Sequence, residues 1–158
     1  MPHRSLPLTV EDIMSSPVIT INENASLEAA ARIMLDRRIG CLPVINADRK
    51  MIGVVTDGSF FPSKRYVPFS RERLTWLMGA WVGRLDDIEE TIQRLRKQPV
   101  TDGMSQREPV SKSTPLGDAA QLMLDMEVQH VVVMDGDELV GVVSRHDMAK
   151  VFLWKQQA

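Results

Sequence analysis

One cysteine, Cys41, in 158 residues excludes an internal disulfide framework and suits a reducing compartment. The charge is close to balanced, at −2 with a pI near 5.9, so the chain carries no electrostatic footprint for nucleic acid or an anionic membrane. No apolar run approaches the roughly 18 residues of a membrane span. The opening Met1-Pro2-His3-Arg4-Ser5 has no signal-peptide h-region. The expected address is cytoplasmic. Three histidines and one cysteine at no recognised metal spacing predict no metal site, although Cys41 and His130 occupy corresponding places 89 residues apart. Catalysis is not expected either. Ser144, His146 and Asp147 are triad residue types, but neighbours on one helical turn cannot adopt the relay geometry. Lys64-Arg65-Tyr66 is a single basic-aromatic cluster and reads as a solvated loop.

Repetition dominates what is present. Val10-Glu11-Asp12-Ile13-Met14-Ser15 returns as Val100-Thr101-Asp102-Gly103-Met104-Ser105, an offset of 90. Leu27 to Asp36 returns as Leu116 to Asp125 at an offset of 89, and Gly53-Val54-Val55-Thr56 returns as Gly141-Val142-Val143-Ser144 at 88. A drift of one or two is what small loop deletions leave behind. The chain is a duplication.

Each copy predicts the order β-α-β-β-α. A short β-rich run follows a proline, at Pro17–Ile21 and at Pro109–Ser111. Next comes a helix with apolar residues at i, i+3, i+4, i+7 and i+8: Leu27, Ala30, Ala31, Met34, Leu35, and again Leu116, Ala119, Ala120, Met123, Leu124. Thr114 before Pro115 predicts an N-cap followed by proline at N1. Two β-rich runs with turn-like links follow, 42–45 then 51–55, and 131–134 then 139–143. A last helix is predicted from Thr56 or Ser144, the latter carrying Val151, Phe152 and Trp154. The fold class is α+β: two pseudo-symmetric repeats, each too small to hide its apolar face alone, packed sheet to sheet. The expected boundaries are 8–60 for the first repeat, 61–98 for a helical insertion and 99–154 for the second repeat.

Where the last strand runs into a helix, at Gly141-Val142-Val143-Ser144-Arg145-His146-Asp147, two readings stand. Ser144 and Asp147 have the spacing of a capping box. The same turn can also receive a phosphate on Ser144 and free N–H groups, with Asp147 on a ribose hydroxyl.

The insertion predicts two helices. One starts near Ser70 with Leu74, Leu77, Met78, Trp81 and Leu85 on a stripe, and the other near Asp86 with Ile88, Ile92 and Leu95 on one face. Such a stripe buries itself against its own module or against a second copy or partner.

The paired pattern resembles the tandem cystathionine-β-synthase (CBS) domain, or Bateman module. The residues that carry the resemblance are Asp12-Ile13-Met14 with Pro17-Val18, Leu27 with Ala30-Ala31, Ile39 to Ile45, and Gly53-Val54-Val55-Thr56-Asp57, repeated more loosely in the second copy. The resemblance implies a non-catalytic regulatory module, with no catalytic cofactor. It would bind an adenosine-containing ligand (AMP, ADP or ATP, or S-adenosylmethionine) in a cleft between the copies and pass occupancy to an unidentified effector protein. It also implies a homodimer. The alternative is a ligand-independent scaffold that assembles through the inserted helices. The family pattern Gly-h-h-Thr/Ser-x-x-Asp is complete in copy two, with Gly141, Ser144 and Asp147, and Arg145 and His146 beside them. Copy one keeps Gly53 and Thr56 but has Ser59 in place of the acid, and Asp57 where copy two has Arg145. The tighter site is therefore expected in copy two. The base-binding positions that the resemblance implies are Val18, Ile19, Thr20, Gly40, Cys41, Leu42 and Pro43 in copy one. In copy two they are Val110, Ser111, Gln129, His130 and Val131.

Overall fold

The computed structural model describes residues 8–60, 75–77, 80–82 and 86–153. In chain order these form α1 (Val10–Ile13), β1 (Ile21–Asn22), α2 (Leu27–Arg37), β2 (Cys41–Ile45), β3 (Met51–Thr56), β4 (Thr75–Leu77), β5 (Ala80–Val82), α3 (Asp86–Leu95), β6 (Val110–Ser111), α4 (Leu116–Asp125), β7 (His130–Asp135) and β8 (Glu138–Ser144), with three short 3₁₀ segments at Asp57–Phe60, Val100–Asp102 and Asp147–Leu153. The α+β class and the repeated order are both realised. Among the described residues no helix is long and apolar enough to cross a membrane.

Contacts divide the chain into two compact units, and the division exchanges the N-terminal segments of the two copies. One unit joins residues 1–18 to 107–158; the other is 19–106. In the first unit β6 pairs parallel to β7, and β7 pairs antiparallel to β8. The free edge of β8 is met by the first copy's opening segment: the Ser15 N–H donates to Val142 O at 2.9 Å and the Val142 N–H to Ser15 O at 3.1 Å. In the second unit the β1-β2-β3 sheet receives Ser105 against Val54 by the same two bonds, at 2.8 and 2.9 Å. An edge strand with unpaired polar groups is thereby covered.

The cores follow the same exchange. Val10 and Ile13 lie fully buried against Ala119, Met123, Val131, Val133 and Val143. Val100 lies against Ile21, Ala30, Met34, Leu42, Val44 and Val55. Each such side chain contributes about 1.5–3 kcal/mol on burial, which holds the short opening segments in place. Backbone bonds add to this. The Leu116 N–H at the start of α4 donates to Leu8 O, and the Leu27 N–H of α2 donates to Gln98 O, both at 2.8 Å. The free N–H groups that open these helices are thus partly satisfied by the exchanged chain.

Several expectations change. Leu35 and Leu124 are 78% and 71% exposed rather than buried. A three-stranded sheet accepts only the narrow stripe Leu27-Ala30-Met34, or Ala119-Met123, and the i+8 position lies on the flank. In copy two Pro115 itself is the N-cap, without a side-chain bond, whereas Ser26 caps α2 by accepting the Ala29 N–H at 3.1 Å. The final helices are 3₁₀ turns, and Phe152 is 91% exposed; Trp154 lies outside the described residues. In the insertion, a hairpin with Trp76 opposite Trp81 replaces the first helix. Thr75, two tryptophans and Val82 favour strand. Leu74, Met78 and Leu85 lie outside the described residues. The second inserted helix is α3, with Leu95 buried and Ile92 47% exposed; the side chain of Ile88 lies outside the described residues.

The motif glycines serve close approach. A Cβ on Gly53 would lie 2.8 Å from Met104 Sδ and 3.0 Å from Ser105 O, and one on Gly141 would collide with Met14 Sδ, with Cγ 2.8 Å away. The methionine of each opening segment therefore lies over the glycine of the other copy's last strand. Gly141→Ala is expected to cost about 1–3 kcal/mol in urea denaturation, the usual range for overpacking, with part of the loss recovered in Gly141→Ala/Met14→Ala.

Candidate functional site

The Gly-h-h-Ser/Thr turn is built by β8 and the 3₁₀ segment that follows it. Asp147, the one buried charged residue among the described residues, is 5% exposed and lies directly after the turn. Its Oδ2 accepts the Ser144 N–H at 2.9 Å and the Ser144 hydroxyl at 3.0 Å, while the Asp147 N–H donates to Ser144 Oγ at 3.0 Å. This is the reciprocal capping box that the spacing predicted. Two partners come from elsewhere. Lys150 Nζ lies 2.7 Å from Oδ1, and the Ser15 hydroxyl, 132 positions away in sequence, donates to Oδ1 at 3.2 Å. Lys150 Nζ also donates to Ile13 O at 2.9 Å, at the end of α1.

Burial alone would raise the Asp147 carboxyl, but the Lys150 hydrogen bond, the Ser144 N–H and hydroxyl, and the Lys150 charge bring it below the ordinary carboxylate range. The group is held ionised. It is a fixed acceptor for hydroxyl donors.

The remaining copy-two candidates fall into two groups. His130 is the β-ladder partner of Ser144 and Val131 that of Val143, so His130 and Ser144 share one end of the sheet. Arg145 and His146 form the exposed turn at that end, where the Arg145 N–H donates to Gln129 O at 2.9 Å. Val131 is core. Val110 and Ser111 are not brought to this end, because they pair with Val133 and Met134, three residues further along β7.

Copy one shows the reason. Ile21 pairs with Val44 as Val110 pairs with Val133, so Val110 corresponds to Ile21, at an offset of 89, and not to Val18. The copy-two counterparts of Val18, Ile19 and Thr20 are therefore Arg107, Glu108 and Pro109. The proline used to align the copies sits at a different point in each. The repeat offset of 89, already fixed by the helices, was the signal that could have found them.

In copy one, Cys41 pairs with Thr56, and the Asp57 N–H donates to Gly40 O at 3.2 Å, as Arg145 does to Gln129. Leu42 and Pro43 are buried in β2. Ile19 packs on the core beside Ile21, and Thr20 directly precedes β1; Val18 belongs to the other unit. Ser59 Oγ accepts the Thr56 N–H at 3.0 Å, a neutral half of the capping box where copy two has a carboxylate. Among the described residues no group of three or more His, Cys, Asp or Glu side chains is placed to hold a metal. Ser15 and Lys150 are the site residues that local spacing missed. Ser15 does recur as Ser105, but nothing in its neighbourhood points 132 residues away.

The CBS domain model matches residues 10–61 and 96–153, each containing one glycine-to-hydroxyl turn. The chain belongs to the CBS domain family. It carries two copies, and solved CBS pairs share its fold. The pair of protein MJ0100, in complex with 5′-methylthioadenosine and S-adenosylmethionine, is 22% identical with a TM-score of 0.66, over 93% of this chain and 97% of that one. CBSX2 in complex with AMP is 22% identical with a TM-score of 0.65, over 92% and 96%. At this identity the likeness establishes the fold alone. By sequence, protein MJ1426 of Methanocaldococcus jannaschii is 22% identical, with 92% of each chain covered. A homoserine O-acetyltransferase of Methanohalobium evestigatum is 27% identical, but the chain spans only 24% of its length.

A depressed carboxyl contributes stability that is present above its unfolded pKa and lost as pH falls through the lower folded value. Asp147→Asn is expected to lower stability by about 1–3 kcal/mol at pH 7. In chemical denaturation followed against pH, the gap to wild type should stay constant above about pH 4, the unfolded-state value, narrow as pH falls below it, and close only once the depressed folded carboxyl is itself protonated.

Proposed function

We propose that this chain is a non-catalytic regulatory module that binds an adenosine-containing ligand, with AMP, ADP or ATP preferred, at the turn after β8. The observation that carries the reading is Asp147, a buried carboxylate held ionised three residues after Ser144 at a strand end. A carboxylate is an acceptor-only group suited to a pair of ribose hydroxyls. The exposed Arg145 beside it suits a phosphate. The adenosine compounds in the MJ0100 and CBSX2 structures support the same ligand class. S-adenosylmethionine, which carries no phosphate, is the runner-up.

The unit containing β1–β3 is the weaker site, because Ser59 replaces the acid. Losing a hydrogen bond to a charged group removes roughly 1.5–3 kcal/mol, or about 10–100-fold in affinity. Occupancy is passed to a partner protein by favouring one conformation of the module, and the shift is limited to the ligand's differential affinity for the two states. A cytoplasmic address and a homodimer belong to the same proposal. A second reading, a scaffold that assembles without ligand, is favoured by the exposure of Ile92 on α3 and of Leu35 and Leu124.

Thermal unfolding with AMP, ADP, ATP and S-adenosylmethionine separates the two. A sensor should gain about 2.7 kcal/mol at a ligand concentration 100 times Kd, and Arg145→Gln should weaken the phosphate ligands while sparing S-adenosylmethionine. No shift at millimolar ligand, with a stable oligomer in sedimentation, would favour the scaffold.

A further inference from the structure

We propose that Ser15 and Lys150 compete with ligand for the Asp147 carboxylate, so that a vicinal diol can engage Asp147 only by releasing the side-chain tether of the N-terminal segment. The inference rests on the reading that Asp147 receives a ribose. It goes further by naming what the ribose must displace and what that displacement frees.

An ionised carboxylate offers about four lone-pair positions. Here all four are taken. The Ser144 N–H and hydroxyl occupy Oδ2 at 2.9 and 3.0 Å. Lys150 Nζ at 2.7 Å and the Ser15 hydroxyl at 3.2 Å occupy Oδ1, and Ser15 also reaches Oδ2 at 3.4 Å. The two Ser144 bonds close the capping box and hold the turn itself. They are the pair least free to leave. The other two belong to groups with alternatives. Lys150 keeps Ile13 O at 2.9 Å when it leaves the carboxylate, and its side chain is half exposed, so water can replace what it loses. Ser15 lies at the surface, and its hydroxyl can turn to solvent. A diol brings two donors and needs the two places these groups hold.

The consequence reaches the backbone. Ser15 is the residue whose N–H and C=O pair with Val142 on the edge of β8, one residue after Met14 over Gly141. With its hydroxyl released, Ser15 stays on the edge through those two backbone bonds alone. Coupling of this kind is reciprocal: if ligand loosens the segment, loosening the segment must favour ligand by the same factor.

The test uses the full chain. Hydrogen exchange is followed at the Ser15 and Val142 amides in wild type with and without saturating AMP, and in ligand-free Asp147→Asn. AMP affinity is measured by calorimetry in wild type and Ser15→Ala. The competition requires faster exchange at both amides with AMP, and in Asp147→Asn without it. It also requires AMP to bind Ser15→Ala about 10-fold more tightly, the equivalent of roughly 1.4 kcal/mol. Equal or weaker binding to Ser15→Ala overturns it, as does exchange in Asp147→Asn that matches wild type. Wild type that binds AMP with unchanged exchange overturns the competition alone. Wild type that binds no AMP overturns both the competition and the ribose reading beneath it.

Discussion

Two pairs of backbone hydrogen bonds, Ser15 with Val142 and Ser105 with Val54, fix most of the remaining structure. Each lays the opening segment of one copy along the exposed edge of the other copy's last strand. Neither sheet has more than three strands, and each needs that segment both to cover its edge and to complete its core. The glycines at 53 and 141 are set by the same contact, since a methionine must lie where a Cβ would be. Ser144 follows directly in the strand so held, and Asp147 one turn later. The Ser144–Asp147 turn is a by-product of how the edge is closed.

The two turns then diverge through single residues. A carboxylate at 147 draws Lys150 and Ser15 into one network and is held ionised by it. A serine at 59 supplies only one neutral bond to the Thr56 N–H. The strand ladders end alike in both units, with Cys41 opposite Thr56 and His130 opposite Ser144, so the difference in chemistry comes from side chains. Position 147 differs most in consequence because a buried charge demands several partners, whereas a serine is satisfied by one.

Much of this was legible in the residues. The β2-β3 and β7-β8 hairpins lie where the apolar runs and turn residues place them, and α2 and α4 lie on the repeated 3.6-residue pattern. What failed was of two kinds. Local pattern misled where a competing preference was stronger: Leu77 and Trp81 fit a helical stripe, yet lie on the two strands of a hairpin, with Trp81 opposite Trp76. Leu35 and Leu124 fit the stripe but fall beyond the width of so small a sheet. Long-range pairing was hidden for a different reason. Val10, Ile13 and Met14 resemble Val100 and Met104 so closely that the sequence could not say which segment completes which sheet. The contact of Ser15 with Asp147 depends on that exchange and was invisible with it. The prolines at 17 and 109 suggest one offset between the first strands and the helices another, and the ladders follow the helices.

The central claim is that Asp147 reads the ribose hydroxyls, and a thermodynamic cycle in ligand and protein tests it most directly. Calorimetry would compare AMP with 2′,3′-dideoxy-AMP on wild type and on Asp147→Asn. The account requires the dideoxy compound to bind wild type roughly 10–100-fold more weakly than AMP, with most of that difference lost in Asp147→Asn. Equal affinity of wild type for the two ligands, or the same difference in both proteins, would contradict it.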